Sequence, residues 1–547
     1  MYIKRIFIFG WGILLVGLCA QAQDTTKRRT IEITSSFKPV LREAVKINFN
    51  AAPPAVDTSR PRLSYTIPAQ YLFLTYQPGE MKPVALQRDS LPPWESYQWV
   101  KLGFGNVDFP FIKTGFSFGN GKSNFFNIFG DQVTSKGSLS NQKSSLTAIK
   151  LRGTEKTQNN LEWDEAVDIK NDVYHLYGYQ PDTLKFSSDQ LKQSFQTYEG
   201  RLSLRNTAPT EFGLLYHPNI KVSGFVDNHD TSAMETNAVL NLPLEKLLGS
   251  KYAFDLGVTA DLTAYQKKYA STVNNNLYYV TPAFLVKTQN LFLQASVVPS
   301  WDNNNFYLLP NFVANINTTD QRFGIQLGWI GYYDKGSYQR FESINPWLAQ
   351  PNQLLNTHME ERYAGFRGSI SNHFTYAAKV GFLYYKNMPL FANDTLNGGK
   401  QFIIFYESSM QSLQIHGELS YMQGEDFNIT AALNYNNYNN LKTQAKAWGL
   451  LPLEFSTTAK WQAFKGFWAK ADFLAFDGAQ YRANNGEAFK GKPGTDLNAG
   501  VEFRILRQLN AWFQMNNIFN DKYERWHQYQ VYGFNFLGGI VFSFGQK

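Results

Sequence analysis

The sequence predicts an all-β chain: a transmembrane antiparallel β-barrel of about 18 to 22 strands, preceded by a signal peptide and an extended, proline-rich segment. Three observations carry this. Alternation with period two runs for nine to eleven residues at a time from about Tyr97 onward, the length of a tilted membrane-crossing strand. Aromatic residues make up 16% of the 547 residues while charged residues make up only 18%, below the usual quarter. The mean hydropathy is nevertheless negative, which a bundle of apolar membrane helices would not give. Lipid-facing and lumen-facing side chains that alternate along each strand average to this combination.

Residues 1–22 read as a cleaved secretory signal. Lys4 and Arg5 form a positive start, Ile6 to Leu18 an apolar run too short to span comfortably, and Ala20-Gln21-Ala22 an A-x-A cleavage site. Cys19 is the only cysteine. Leu18 stands before it where lipidation favours a small residue. Cleavage at Ala22 leaves a mature chain with no disulfide, thiolate metal site or cysteine nucleophile.

Residues 23–95 differ in texture. They hold nine of the 22 prolines, and proline cannot donate to a sheet ladder. The expectation is an extended arm, in the periplasm or occluding a lumen, with one short strand in "TIEITSSF".

Residues 96–547 are assigned to the barrel. In "SLQIHGELSYM", Leu413, Ile415, Gly417, Leu419 and Tyr421 share one face, with His416 and Glu418 on the other. "FNITAALNYN", "DLNAGVEFRI" and "HFTYAAKVGFLYY" repeat the pattern. Connectors alternate between tight turns such as "QGED" and long loops at 339–357 and 478–495, the turn-and-loop asymmetry of outer-membrane barrels. In the closing "GFNFLGGIVFSFGQK", Phe534, Phe536, Ile540, Phe542 and Phe544 fall on one side, and the expectation is that these rings meet lipid. A large soluble sandwich is the alternative, but no fixed-period repeat supports a soluble array.

No motif carries catalysis. "GFSFG" matches the pattern of a nucleophile elbow at Ser117, but it lies within an alternating run and no helix pattern follows. "GNGKS" lacks the first glycine of a phosphate loop. "DNHD", Asp227 to Asp230, lacks the spacing of a calcium loop, and the seven histidines include no metalloprotease pair. The chain is therefore expected to be a non-enzyme with no catalytic residue, no cofactor and no metal. His416 and Glu418 are the polar lumen candidates. A net charge of +8 without a basic run argues against nucleic acid.

The stretch "NAWFQMNNIFNDKYERWHQYQVYGFNFLGGIVFSF" resembles the C-terminal end of TonB-dependent receptors of the Bacteroidota type, at Asn517, Phe519, Asn520, Tyr523, Gly533 and Phe544. The resemblance implies a 22-stranded outer-membrane barrel, a periplasmic TonB partner and a scarce small-molecule or glycan ligand. Such receptors carry a plug of well over a hundred residues, whereas 23–95 supplies a truncated equivalent. The expected partners are thus outer-membrane lipid, TonB or another periplasmic or lipoprotein partner reached through 24–95, and an unidentified ligand. The expected location is the outer membrane and the expected function solute uptake across it. The alternative is a non-transporting component of an envelope-assembly, secretion or lipoprotein-docking complex.

Overall fold

The computed structural model describes residues 98–544, apart from 121, 122, 182, 230, 321, 372, 484 and 485. The signal-peptide assignment with Ala20 and Ala22, and the arm at 23–95, lie outside these residues.

The described chain forms a closed antiparallel barrel of 22 strands. A further three-residue strand, Leu214–Tyr216, lies against the edge of Ala233–Leu248. The first strand, Gln98–Gly105, pairs on one side with Asp108–Gly119 and on the other with the last, Asn535–Phe544. This pairing removes both edges, as a sheet without water at its margins requires. Wall strands run from 8 residues to 16, a wider spread than the expected nine to eleven, and the strand count falls at the top of the expected range.

The alternation read from the sequence is the alternation of the wall. Ile415, Leu419, Val380, Phe382, Leu433 and Phe503 are exposed on the outer face. On the last strand Phe536, Ile540 and Phe542 face outward, whereas Leu537 and Val541 are buried inside against Phe111 and Trp512. The inner face instead carries ion pairs, Lys150–Asp131 at 3.3 Å, Arg152–Asp168 at 2.8 Å and Lys470–Asp472 at 2.8 Å. An apolar outside with a polar inside fits a wall whose outer solvent is hydrocarbon.

The two ends of the barrel differ. At one end the connectors are mostly tight, including 424–426 and 465–466. Gly424 and Gly466 turn the chain there at φ of +59° and +90°, a region open to glycine at little cost. At the other end lie seven long connectors: 137–142, 176–191, 335–356, 387–409, 440–452, 477–493 and 517–534. In barrels of this class the tight turns face the periplasm and the long loops face outward. The connector 335–356 also contains a helix, Tyr338–Ile344, which the sequence reading treats as plain loop. Its N-cap is Ser337, whose Oγ accepts a hydrogen bond from the Arg340 N–H at 3.1 Å.

Candidate functional site

The seven long connectors do not splay into solvent. They interlock into a roof with its own apolar core. Tyr177, Trp347, Phe391, Phe402, Trp526 and Tyr529 come from four different connectors and pack in one cluster. Tyr529 is its centre. Only 1% of its surface is exposed, its ring stacks on Trp347 at 4.0 Å and meets Tyr177 edge-on at 4.8 Å, and its hydroxyl donates to the Lys400 carbonyl. Trp526 lies edge-on to Phe402 at 5.3 Å and to Phe391 at 5.5 Å.

Polar bonds tie the same connectors together. Ala349 N–H donates to the Phe402 carbonyl at 2.8 Å, and Phe402 N–H to the Trp347 carbonyl at 3.0 Å. The Gln142 amide and the Tyr177 hydroxyl both donate to the Gln530 carbonyl, at 2.9 and 2.8 Å. Gly449 N–H reaches the Gln480 carbonyl at 2.9 Å. Glu407 is fully buried and its carboxylate accepts from the backbone N–H groups of Ser409, Lys442, Thr443 and Gln444 at 2.7–3.1 Å. Burial disfavours its charge, but these backbone donors outweigh burial and hold its pKa below the ordinary glutamate value.

The roof is anchored to the wall by acids. Asp227 accepts from the Tyr338 hydroxyl at 2.7 Å and from the Gln350 amide at 2.9 Å. Glu235 accepts from the backbone N–H of Tyr338 at 2.5 Å and of Gln339 at 3.3 Å, two donors at the start of the helix that have no partner within it. Lys335 pairs with Asp261 at 3.2 Å and donates to the Asn275 carbonyl at 2.6 Å. Asp227, the first residue of the "DNHD" stretch, is thus engaged in docking the connector 335–356. Among the described residues no group of three or more histidine, cysteine or acidic side chains is arranged to hold a metal.

Arg525 is half-buried beside Trp526, its guanidinium 4.3 Å from the ring, and donates to the Gly449 carbonyl at 3.0 Å. Burial lowers its pKa to about 10, with Glu454 and Tyr438 opposing the shift, so it remains charged at neutral pH.

Five of the six C-terminal signature residues lie in the last connector, 517–534, and Phe544 lies at the far end of the strand that follows it. Asn517 is buried. Its amide donates to the Asp521 and Tyr532 carbonyls at 2.7 and 2.9 Å, and its Oδ1 accepts from Asp521 N–H at 3.0 Å. Asn520 Oδ1 accepts from Phe534 N–H at 2.9 Å, and Gly533 lies against it, where a Cβ would come within 2.5 Å of that oxygen. Tyr523 donates to Asp496 at 3.0 Å and packs on Phe476. Phe519 is 54% exposed beside Phe473, and Phe544 pairs with Gln98 at the barrel seam. Asn517 and Asn520 hold the two ends of the connector together, and Tyr523 ties it to the neighbouring strand Gly494–Leu506.

His416 and Glu418 share the lumen face. His416 Nδ1 lies 2.7 Å from Asn434 Oδ1, and the two residues pair across the sheet with Lys379 and Ala377. The structure does not bring them into the roof. Ser117 lies within a strand, donates to Asn127 Oδ1 at 2.6 Å, and is followed by a turn. The aromatic roof residues are absent from the sequence reading. Trp347 within "NPWLAQPN" and Trp526 and Tyr529 within "YERWHQY" were the available signal, since a solvated loop has little use for buried rings.

No protein-family model matches the chain, and no curated protein matches it. Solved structures do. The siderophore receptor PirA from Acinetobacter baumannii superposes with a TM-score of 0.64 at 9% identity, over 83% of this chain and 81% of that one. The FrpB iron transporter from Neisseria meningitidis gives 0.63 at 8%, over 82% of each chain. FpvA of Pseudomonas aeruginosa, solved with a bound ferric pyoverdine, gives 0.61 at 11%, over 83% and 72%. At such identities the likeness is one of fold.

Proposed function

We propose that this chain is an outer-membrane uptake barrel of the siderophore-receptor type, gated at its outer mouth by the interlocked connectors. The observation that carries this reading is the roof. A 22-stranded wall encloses a lumen that transporters of that size keep plugged, and a mouth covered by packed aromatic rings is not built for free diffusion. Passage then requires an event that loosens the roof, and a ligand that binds better to the loosened state supplies it. The structural neighbours named as siderophore receptors suggest a chelated metal as the ligand class. On this reading residues 24–95 are the segment that reaches a periplasmic TonB-like partner.

The test is growth and uptake in a deletion strain. The expected result is slow growth in chelated, metal-poor medium, loss of uptake of one radiolabelled metal chelate, and full rescue by excess metal salt. Pleiotropic envelope leakage that no nutrient corrects would refute uptake and favour an assembly or docking role.

A further inference from the structure

Four neighbouring strands, Asn124–Lys136, Lys143–Lys156, Leu161–His175 and Lys192–Asn206, end at the loop side in one row of basic side chains. Lys136 pairs directly with Lys143, and His175 with Lys192. Ser144 opposite Tyr174 places Lys143 beside His175. The row crosses four strands, about 14 Å at the usual strand spacing.

The row faces outward. On the same strands the residues of opposite parity are interior: Val133 packs with Phe111 and Trp512, while Leu146, Tyr174 and Phe195 belong to the roof cluster. Lys136, Lys143 and Lys192 are exposed, and among the described residues no carboxylate pairs with them. The outward acids of these strands, Glu155 and Glu165, lie toward the opposite, turn end, so charge is segregated along the outer wall.

Below the cations the wall is polar where a lipid-facing wall is ordinarily apolar. Gln132 and Thr147 form one cross-strand pair, and Thr134 and Ser145 the next. They bond to one another, Gln132 Nε2 to Thr134 and Ser145 at 3.2 Å each and Thr147 Oγ1 to Gln132 at 2.5 Å. Asn171 and Ser194 continue the patch at 3.4 Å. The Gln132 row runs on through Ile112 to Leu102, both exposed apolar residues. One strand pair further toward the turn end, Ile149 and Ile169 restore the apolar belt. The polar patch therefore begins beside the hydrocarbon margin and rises from it.

We propose that this patch binds the headgroup of a lipid in the leaflet on the loop side, one whose sugar carries more than one phosphate. The lysines are point charges suited to phosphate. Their spread exceeds the reach of a single monoester, and the amide and hydroxyl rows beneath offer partners for sugar hydroxyls. Acyl chains would then lie along the belt of Ile149, Ile169 and Val167.

The experiment uses the full chain in phosphatidylcholine nanodiscs doped with bisphosphorylated lipid A, its monophosphorylated form, or phosphatidylglycerol, with retained lipid counted by native mass spectrometry. The variant is K136Q/K143Q/K192Q. The expected result is retention of the bisphosphorylated lipid in preference to the other two, no competition by millimolar inorganic phosphate, and a loss of roughly a hundredfold in the variant, about fivefold for each lysine. Unchanged heat-modifiable gel migration verifies that the variant is folded. Equal retention by wild type and variant, equal retention of all three lipids, or displacement by free phosphate would each overturn the proposal. So would a protein that co-purifies through these lysines and excludes lipid.

Discussion

Replacing Tyr529 with alanine should release the roof without opening the wall. The side chain is buried, lies against the rings of Trp347, Tyr177 and Phe402, and donates one hydrogen bond to the Lys400 carbonyl. Truncating a buried aromatic residue costs about 3–5 kcal/mol, and aromatic pairs of this geometry supply about 0.5–1.5 kcal/mol each of that. Taking about 4 kcal/mol, the population of the loosened roof rises about a thousandfold, one decade for each 1.4 kcal/mol. Tyr529→Phe removes only the hydroxyl and should cost about 1 kcal/mol, or about fivefold. Hydrogen exchange reads this directly. The amides of Ala349 and Phe402, which bridge two connectors, should exchange up to about a thousand times faster in the alanine variant, with wall amides such as Val380 unchanged. Exchange at Ala349 and Phe402 equal to wild type would refute the view that Tyr529 holds the connectors together. Accelerated exchange throughout the wall would refute the separation of roof from barrel.

The Glu407 clamp makes the roof acid-sensitive. The native pKa is depressed, so its contribution is complete above the unfolded value near 4.3 and fades as pH falls through the lower native value. Protease nicking of 440–452 should be flat from pH 5 to 8 and rise below about pH 4. Glu407→Gln should lose about 2 kcal/mol of local protection and most of that pH dependence. Gly449→Ala places a side chain at φ +76°, with its Cβ 2.9 Å from Trp526 and 3.1 Å from the Phe391 carbonyl; about 1–3 kcal/mol of strain should appear as faster nicking of the same connector. Ile540→Lys puts a charge on the exposed outer face of the last strand and should cost about 2–4 kcal/mol, measured as a lower urea midpoint for folding into lipid vesicles.

The wall was legible because its signal is local. Lipid outside and polar groups inside impose period two on every strand, so Ile415 and His416 declare their faces from sequence neighbours alone. The closing phenylalanine stripe resolved for the same reason. The roof was not legible. Tyr529 meets Trp347, Tyr177 and Lys400 across 129 residues or more, and no periodicity encodes which loops touch. The helix at Tyr338–Ile344 was missed because it is two turns long and is held by Glu235, 104 residues upstream of Gln339. The basic row was hidden similarly: Lys136, Lys143 and Lys192 are unremarkable singly and align only through cross-strand register.

The seam between the first and last strands orders events in time. Gln98 meets Phe544 and Gly105 meets Leu537, partners more than four hundred residues apart. No nascent or partly threaded chain can have this pairing, so until the last strand arrives the sheet carries two raw margins of unpaired backbone. Such margins recruit other strands, and in hydrocarbon each unpaired group is severely penalised. The wall must therefore be shielded until synthesis and export are complete. A chain cut shortly before Asn535 would lose the whole cylinder rather than one twenty-second of it.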